Sequence, residues 1–170
     1  MAMHLPYKIA ALCYLFDEQG RLLLLRRAKN PNKGLYSPIG GKLKMDEGEN
    51  PAACARREIL EEVELDLSPE DIRLAGVISE TAFQNQTHWL MWLYEVTRPV
   101  EVQRMEFDEG VLEWHPLDDV FDLNIPDTDR KVIYPLFNEY RGGFFHAHIN
   151  CQDEGYTWSL ETGIKRADVG

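Results

Sequence analysis

Residues 41–65 form a segment rich in glutamate that runs from a loop into a helix. Asn50 is a favoured N-cap residue and Pro51 suits the first helical position, so the sequence predicts a helix beginning there. On that helix three carboxylates share one face, because their spacings are three and four residues: Glu58, Glu61 and Glu62. Like charges at those spacings repel, at a cost of roughly 0.2–0.5 kcal/mol per pair.

The neighbouring face of the same helix is apolar. Its residues recur at the spacing of a core-facing stripe: Ala52, Ala55, Ile59 and Val63. Packing of this stripe on a sheet would stop the helix from rotating its acids apart. A carboxylate cluster held in this way favours a divalent cation, and a set of oxygen ligands favours Mg²⁺ or Mn²⁺ over zinc.

The same segment resembles the signature of the Nudix family. The matching residues are Gly41, Glu49, Arg57, Glu58, Ile59, Glu61, Glu62 and Leu65. Two features depart from that signature: the loop from Gly41 to Glu49 is two residues longer, and Glu64 replaces a glycine. That glycine normally ends the helix in the left-handed conformation, which strains a glutamate, so we expect a different helix end here.

The resemblance implies an α/β fold, an α/β/α sandwich with a mixed sheet and a loop-helix-loop that carries the metal. It also implies hydrolysis of the diphosphate linkage in a nucleoside diphosphate joined to a group X. Mg²⁺ would be the cofactor, with Mn²⁺ as a substitute. The implied ligands are the carboxylates of Glu58, Glu61 and Glu62 and the Gly41 carbonyl. Arg57 would pair with Glu49 or orient the carboxylates, or it would be a simple surface ion pair.

A further acid is expected outside the signature. The stretch 107–114 resembles the family segment in which an acid precedes a strand bearing a tryptophan. Glu109 matches that acid best and would be a metal ligand or the general base. Glu106 and Glu113 are competing positions, and a solvated loop acid is the alternative for all three.

The C-terminal half is similar to the branch of the family that hydrolyses nucleoside triphosphates and includes 8-oxo-dGTP diphosphatases. In that branch acids after a proline bind the purine edge, which indicates Asp127 or Asp129; equally, Asp127 would simply cap the helix. Two residues depart from the branch: Ser37 stands where an asparagine reads the base, and Ile125 where a tryptophan lies. Two upstream residues complete the expected substrate site. Tyr36 would stack on the base or be part of the core, and Arg27 would contact phosphates or be a solvated basic residue.

Other substrates stay open at this level: ADP-ribose, dinucleoside polyphosphates and the 5′ end of RNA. Two other classes also remain, a non-catalytic domain that senses nucleotides and a purely structural acidic domain. Retention of Glu58, Glu61 and Glu62 favours the enzyme over both.

Composition narrows the partners and the compartment. The 170 residues predict one domain, 1–170, and 18 basic against 29 acidic residues give a net charge of −11. That charge argues against an extended nucleic-acid surface or an anionic membrane as partner, but not against a small nucleotide. No signal peptide or membrane span is visible, and the three scattered cysteines suggest no disulfide framework. We expect a cytoplasmic protein, monomer or homodimer.

The pattern of apolar residues and turn signals predicts strands and helices along the whole chain. A turn at 17–20 is expected to join the first two strands as a hairpin. Pro135 is expected to kink the second long helix, and the tail 163–170 to fray. The predicted strands are 7–16, 21–26, 72–81, 88–97, 111–116, 144–151 and 156–160, and the later helices are 118–123 and 127–140.

Overall fold

A computed structural model describes residues 4–30 and 32–169. Its ten strands are β1 (Tyr7–Tyr14), β2 (Arg21–Arg27), β3 (Tyr36–Ser37), β4 (Ile39–Lys42), β5 (Ile72–Phe83), β6 (Thr87–Val96), β7 (Glu106–Phe107), β8 (Gly110–Pro116), β9 (Phe144–Asn150) and β10 (Thr157–Ile164). The helices are α1 (Pro51–Val63) and α2 (Tyr134–Glu139), and a π-helical turn, Asp129–Ile133, leads into α2. Short 3₁₀ turns occupy Met45–Glu47, Pro69–Asp71, Leu117–Asp122 and Arg166–Asp168.

The strands form two sheets. The six-stranded sheet has the order β10-β9-β5-β6-β1-β4, and the four-stranded sheet has the order β3-β2-β8-β7. The larger sheet is mixed, because β1 pairs with β6 and β5 pairs with β9 in parallel while its other pairs are antiparallel. The predicted α/β class and mixed sheet are therefore confirmed.

Alternation along the strands gives the large sheet two buried faces. On one face α1 packs through Ile59 and Val63 against a core that includes Cys13 and Tyr94. On the opposite face α2 packs through Phe137 against a core that includes Phe145. We refer to these as the α1 face and the α2 face.

The predicted hairpin is only partly right. The turn forms, with the Asp17 carboxylate accepting hydrogen bonds from the backbone of Gln19 and Arg21 at 3.0 and 2.8 Å. A single bridge, Phe16 to Leu22, then links the two strands before they separate into different sheets. They separate because β2 has both faces buried: Leu22 and Leu24 lie in the α2-side core, and Leu23 and Leu25 in the α1-side core.

One expectation for the C-terminal region needs correction. The chain does not fray from residue 163, since β10 extends to Ile164 and pairs there with Phe144, and a 3₁₀ turn follows; Gly170 lies outside the described residues. Near Pro135, α2 follows a π-helical turn closed by the Tyr134 N–H and the Asp129 carbonyl. Pro135 has no N–H for the usual bond to the residue four back, which accommodates the wider turn immediately before it.

Candidate active site

The helix α1 begins as the sequence predicts. The Asn50 side chain accepts a hydrogen bond from the Ala53 N–H at 2.9 Å, and Pro51 occupies the first turn. The expectation of a different helix end was wrong. Glu64 itself takes the left-handed conformation, with φ 61° and ψ 30°, and its N–H donates to the Leu60 carbonyl. A glutamate thus closes this helix in a conformation that usually selects glycine.

The buried face of α1 holds one of its acids, Glu62, against the sheet. Cys54, Ala55 and Ile59 are fully buried on the face of the helix that packs on the sheet. As a consequence Glu62 is only 5% exposed, and its carboxylate accepts a hydrogen bond from the Gly40 N–H at 3.2 Å. The packing predicted for the apolar stripe is confirmed.

Arg57 is the centre of the ion-pair network on this helix. Its Nε and Nη2 donate to the two oxygens of Glu49 at 2.7 and 2.9 Å. Its Nη1 donates to Glu58 at 2.9 Å and to Glu61 at 3.2 Å, and Nη2 also reaches the Lys42 carbonyl. The expected pairing with Glu49 is present, and one guanidinium orients three carboxylates.

Arg57 and burial shift the pKa values of these acids in opposite directions. Hydrogen bonds from Arg57 lower the pKa of Glu49 to about 2. Burial, reinforced by the charge of Glu58, raises the pKa of Glu62 to about 8. Burial also raises the pKa of Glu58, although Arg57 opposes that shift. Without a bound cation, Glu62 on the side that faces the sheet therefore holds a proton at neutral pH, whereas Glu49 is ionised and paired with Arg57.

Two glycines in β4, Gly40 and Gly41, lie where a side chain would not fit. A Cβ on Gly41 would lie 2.4 Å from the nearer Glu58 oxygen, so a side chain there would displace that carboxylate. Gly40 has φ 148°, and a Cβ would lie 2.1 Å from the Ala11 carbonyl oxygen. The Gly41 carbonyl, a predicted ligand, accepts a hydrogen bond from the Cys54 thiol at 3.6 Å.

Of the three candidate acids outside the signature, Glu109 is the one whose charge acts on the cluster. It lies in the turn between β7 and β8 and is exposed, and its charge contributes to the raised pKa of both Glu58 and Glu62. Glu113 instead forms an ion pair with Arg26 at 3.1 Å.

The residues fit a hard divalent cation by their chemistry. All the donors are oxygens, and the acids outnumber the single guanidinium that neutralises them. Within residues 4–30 and 32–169, however, no group of three Asp, Glu, His or Cys side chains is arranged to bind one metal ion in the conformations present. Glu58 and Glu61 turn to Arg57, whereas Glu62 turns to Gly40. Glu61 is on the surface, with 55% of its side chain exposed, so its reorientation would disturb no packing.

The predicted substrate residues do not all gather at one place. Tyr36 and Ser37 form β3 beside the end of β2, where the Arg27 N–H donates to the Leu35 carbonyl. The Tyr36 ring contacts His115 edge-on, with 5.3 Å between centroids. Asp127 is exposed, and its carboxylate contacts Lys131 at 3.1 Å and the Tyr156 hydroxyl at 3.1 Å.

Asp129 lies near an acid that sequence reasoning missed. Glu80, on β5, is only 4% exposed, and no hydrogen-bond partner for its carboxyl occurs among the described residues. Burial raises the pKa of Glu80 to about 7, and burial together with the charge of Glu80 raises the pKa of Asp129 to about 7. In the sequence, the signal that could have identified Glu80 was the presence of an acid at a core-facing position of the predicted strand 72–81.

Two histidines on β9 face the same side, because alternate residues of a strand point to the same face. His146 and His148 lie 3.3 and 2.7 Å from the Ser79 hydroxyl, and His148 is also 3.1 Å from the Thr81 hydroxyl. These contacts place both rings on a wall of polar side chains on the α1 face.

Comparison with known proteins agrees with this architecture. The family model described as the NUDIX domain matches residues 6–137. Among solved structures, the MutT protein from Bacillus halodurans is similar to this chain, with a TM-score of 0.71 and 21% identity over 91% of this chain and 97% of that one. The dihydroneopterin triphosphate pyrophosphohydrolase of E. coli is similar over 76% and 96% of the two chains, with a TM-score of 0.59 and 20% identity.

A third similar structure is the NUDIX domain of Shewanella oneidensis NrtR complexed with ADP ribose. Its TM-score is 0.60 at 16% identity, over 78% of this chain and 86% of that one. At these identities the structures show the shared fold. The family match shows more: this chain belongs to the Nudix family. It is an enzyme, a Nudix hydrolase, and such hydrolases generally use a divalent metal ion. No helix within the described part of the chain is long and apolar enough to cross a membrane.

Proposed function

We propose that this chain is a Mg²⁺-dependent pyrophosphohydrolase that converts a purine nucleoside triphosphate, oxidised purines included, into the monophosphate and pyrophosphate. Mn²⁺ would substitute for Mg²⁺. The observation that carries the proposal is the buried carboxyl of Glu62, which Arg57 does not contact and whose pKa burial and the charges of Glu58 and Glu109 raise to about 8. Ionising this carboxyl in the fold is costly unless a cation binds beside it, and a bound cation would keep it ionised at neutral pH.

In this proposal the metal is held by Glu58, Glu61 and Glu62 with the Gly41 carbonyl. When bound, the metal neutralises phosphate oxygens and lowers the pKa of a coordinated water. The protein's own residues supply the remaining functions. Arg57 keeps the carboxylates oriented, and Glu109, exposed at the edge of the cluster, accepts a proton from the attacking water or adds a ligand.

The preference for a purine rests on the resemblance of the C-terminal half to the triphosphate-hydrolysing branch, and the acids at Asp129 and Glu80 would bind the base. Burial raises the pKa of both carboxyls to about 7, so near neutral pH each can donate when protonated or accept when ionised. A base edge that presents a donor beside an acceptor would satisfy both. Tyr36 and Ser37 on β3 would line the base, and Arg27 and Asp127 the periphery of the substrate.

The test is release of pyrophosphate from ordinary and oxidised nucleoside triphosphates, with Mg²⁺, with Mn²⁺ and with chelator. Glu62→Gln is expected to lose the metal-dependent turnover. Glu64→Gln is the matched control, because Glu64 is an exposed acid at the end of the same helix and forms an ion pair with Arg104. Equal loss in both variants would contradict the assignment of Glu62.

The choice of substrate has its own discriminating outcomes. The proposed purine triphosphate would be wrong if another substrate were turned over faster. The candidates to compare are ADP-ribose, dinucleoside polyphosphates, dihydroneopterin triphosphate and 5′-triphosphorylated RNA. Tight nucleotide binding without turnover on any of them would indicate a sensor. Asp129→Asn is expected to raise KM for purine triphosphates more than for pyrimidine triphosphates, and equal effects would contradict the base-binding role.

A cytoplasmic location belongs to the same proposal. It is supported by the three free cysteines, two of them fully buried, which suit a reducing compartment.

A further inference from the structure

A cleft on the α2 face gathers arginines from distant parts of the chain. Its volume is about 450 Å³, and its lining residues are Arg73, Glu95, Thr97, Arg141, Gly142 and Arg166. Three guanidiniums face one carboxylate, which leaves an excess of two positive charges in a protein whose net charge is −11. The cleft is therefore a positively charged site on a protein that is negatively charged overall.

Glu95 fixes the position of two of these arginines. One of its oxygens accepts from Arg73 Nη2 at 3.1 Å and the other from Arg141 Nε at 3.0 Å. The carboxylate is 12% exposed. The Arg141 guanidinium also stacks on the Phe16 ring, 4.1 Å from its centroid. Both guanidiniums are thus ordered before any ligand arrives, which lowers the entropic cost of binding.

A purely structural role explains only part of this cluster. Arg73 ties the sheet to the turn after α2 by donating to the Gly143 carbonyl, and Arg141 contributes through Nε and its stacked face. Within the described residues, however, the Nη atoms of Arg141 and the whole Arg166 guanidinium have no hydrogen-bond or ion-pair partner. These donors are available to a ligand.

Arg166 is also held at the cleft by packing. Its aliphatic stem lies on Gly142, where an added Cβ would come within 2.9 Å of Arg166 Cδ. The neighbouring Lys165 is 3.7 Å from Glu139 and so is paired within the fold. Of these two adjacent cationic residues, Arg166 borders the cleft and has no ion-pair partner among the described residues, whereas Lys165 is paired.

The cleft is separate from the acidic cluster. Arg73 pairs in register with Glu95, which points to the same face as Leu93 of the α2-side core. The acids of α1 lie across the sheet, on the α1 face.

We propose that this cleft binds an oxyanion of the phosphate class that carries at least two negative charges. Planar guanidiniums present pairs of N–H groups that match phosphate oxygens, and the excess of two positive charges matches a phosphate dianion or pyrophosphate. The anion is either free phosphate or pyrophosphate, or the terminal phosphate of a nucleotide. The inference does not depend on the reaction proposed above.

Calorimetric titration of the full chain with pyrophosphate, inorganic phosphate and a nucleoside monophosphate tests this site. Chelator is present, so that no cation attracts anions to the acidic cluster. We expect one site per chain that weakens with salt. Arg166→Gln is expected to weaken binding about tenfold, since it removes one charged donor pair worth about 1.4 kcal/mol. It is expected to leave the melting temperature unchanged.

The matched control is Arg98→Gln, which removes the same charge from an exposed pair with Asp71 outside the cleft. Its affinity should stay within about twofold of the wild type. Arg141→Lys keeps the charge but loses the planar fork, and it should also weaken binding. Absence of binding by the wild type, or equal weakening by Arg98→Gln and Arg166→Gln, would overturn the proposal. Binding of the monophosphate alone would support a nucleotide as the source of the phosphate.

Discussion

Arg57 binds Glu49 through two hydrogen bonds, from Nε to Oε2 at 2.7 Å and from Nη2 to Oε1 at 2.9 Å. The pair connects the signature loop to the middle of α1. With Glu49 on one side, the guanidinium presents its remaining Nη1 to Glu58 and Glu61. The orientation of Glu58 and Glu61 therefore depends on a guanidinium that Glu49 holds in place.

Arg57→Lys is expected to lower kcat/KM about 10–100-fold while the protein stays folded. Lysine keeps the charge but cannot bind Glu49 with two parallel bonds and still reach Glu58. Steady-state kinetics and the melting temperature measure the two effects, with Arg98→Lys as a surface control. Full activity in the Arg57→Lys variant would show that the carboxylates need no guanidinium to orient them.

The metal-free protein is expected to lose stability as the pH rises from about 5 to about 8. The pKa of Glu62 is about 8 in the fold against an ordinary value of 4.5, so its contribution is fully present below pH 4.5 and is lost as the pH rises through 8. Glu80 and Asp129 act in the same direction, with pKa values of about 7. Melting temperatures across this range should fall less steeply in Glu62→Gln, and parallel curves would contradict the assignment.

Mg²⁺ is expected to stabilise the protein at neutral pH. A cation bound only by the folded state at 100 times its Kd adds about 2.7 kcal/mol to the free energy of unfolding. The melting temperature should rise with Mg²⁺ in the wild type and in Glu64→Gln, and much less in Glu62→Gln. An equal rise in all three proteins would place the cation elsewhere.

Replacing Glu80 should separate stability from substrate binding. The Glu80 carboxyl is 4% exposed and without a hydrogen-bond partner among the described residues, so Glu80→Met should stabilise the fold by roughly 1–3 kcal/mol above pH 7. The same variant should raise KM for purine triphosphates. Urea denaturation and kinetics measure the two quantities. A less stable variant would show that this carboxyl supports the fold.

Glu64→Gly should stabilise the protein by about 1 kcal/mol, because glycine takes the left-handed conformation without strain. The substitution also removes the contact of Glu64 with Arg104 at 2.9 Å, a surface pair of small value. Glu64→Ala, which loses the same pair but keeps a Cβ, is the control. If both variants change stability equally, backbone strain at Glu64 is not the cause.

Local signals were enough to predict the start of α1 and the shared face of its acids. Asn50, Pro51 and the apolar stripe act within a few residues of one another, so their effect can be read along the chain. The pairing of Arg57 with Glu49 was also within reach, since eight positions separate them in a recognisable motif. The helix end at Glu64 was not, because the strain of one residue is small beside the packing of the whole helix.

The sequence by itself determined the family, the mixed α/β architecture and the acidic face of α1, because periodicity and motif spacing encode them locally. Only the tertiary structure decided that β1 and β2 part into different sheets, since burial on both faces of β2 outweighs the short hairpin. It also decided which charged groups lie near one another: Glu80 near Asp129, and Glu95 with Arg73 and Arg141 in the cleft that Arg166 borders. These residues lie on separate elements, and contacts between them exist only once the sheet and α2 have packed.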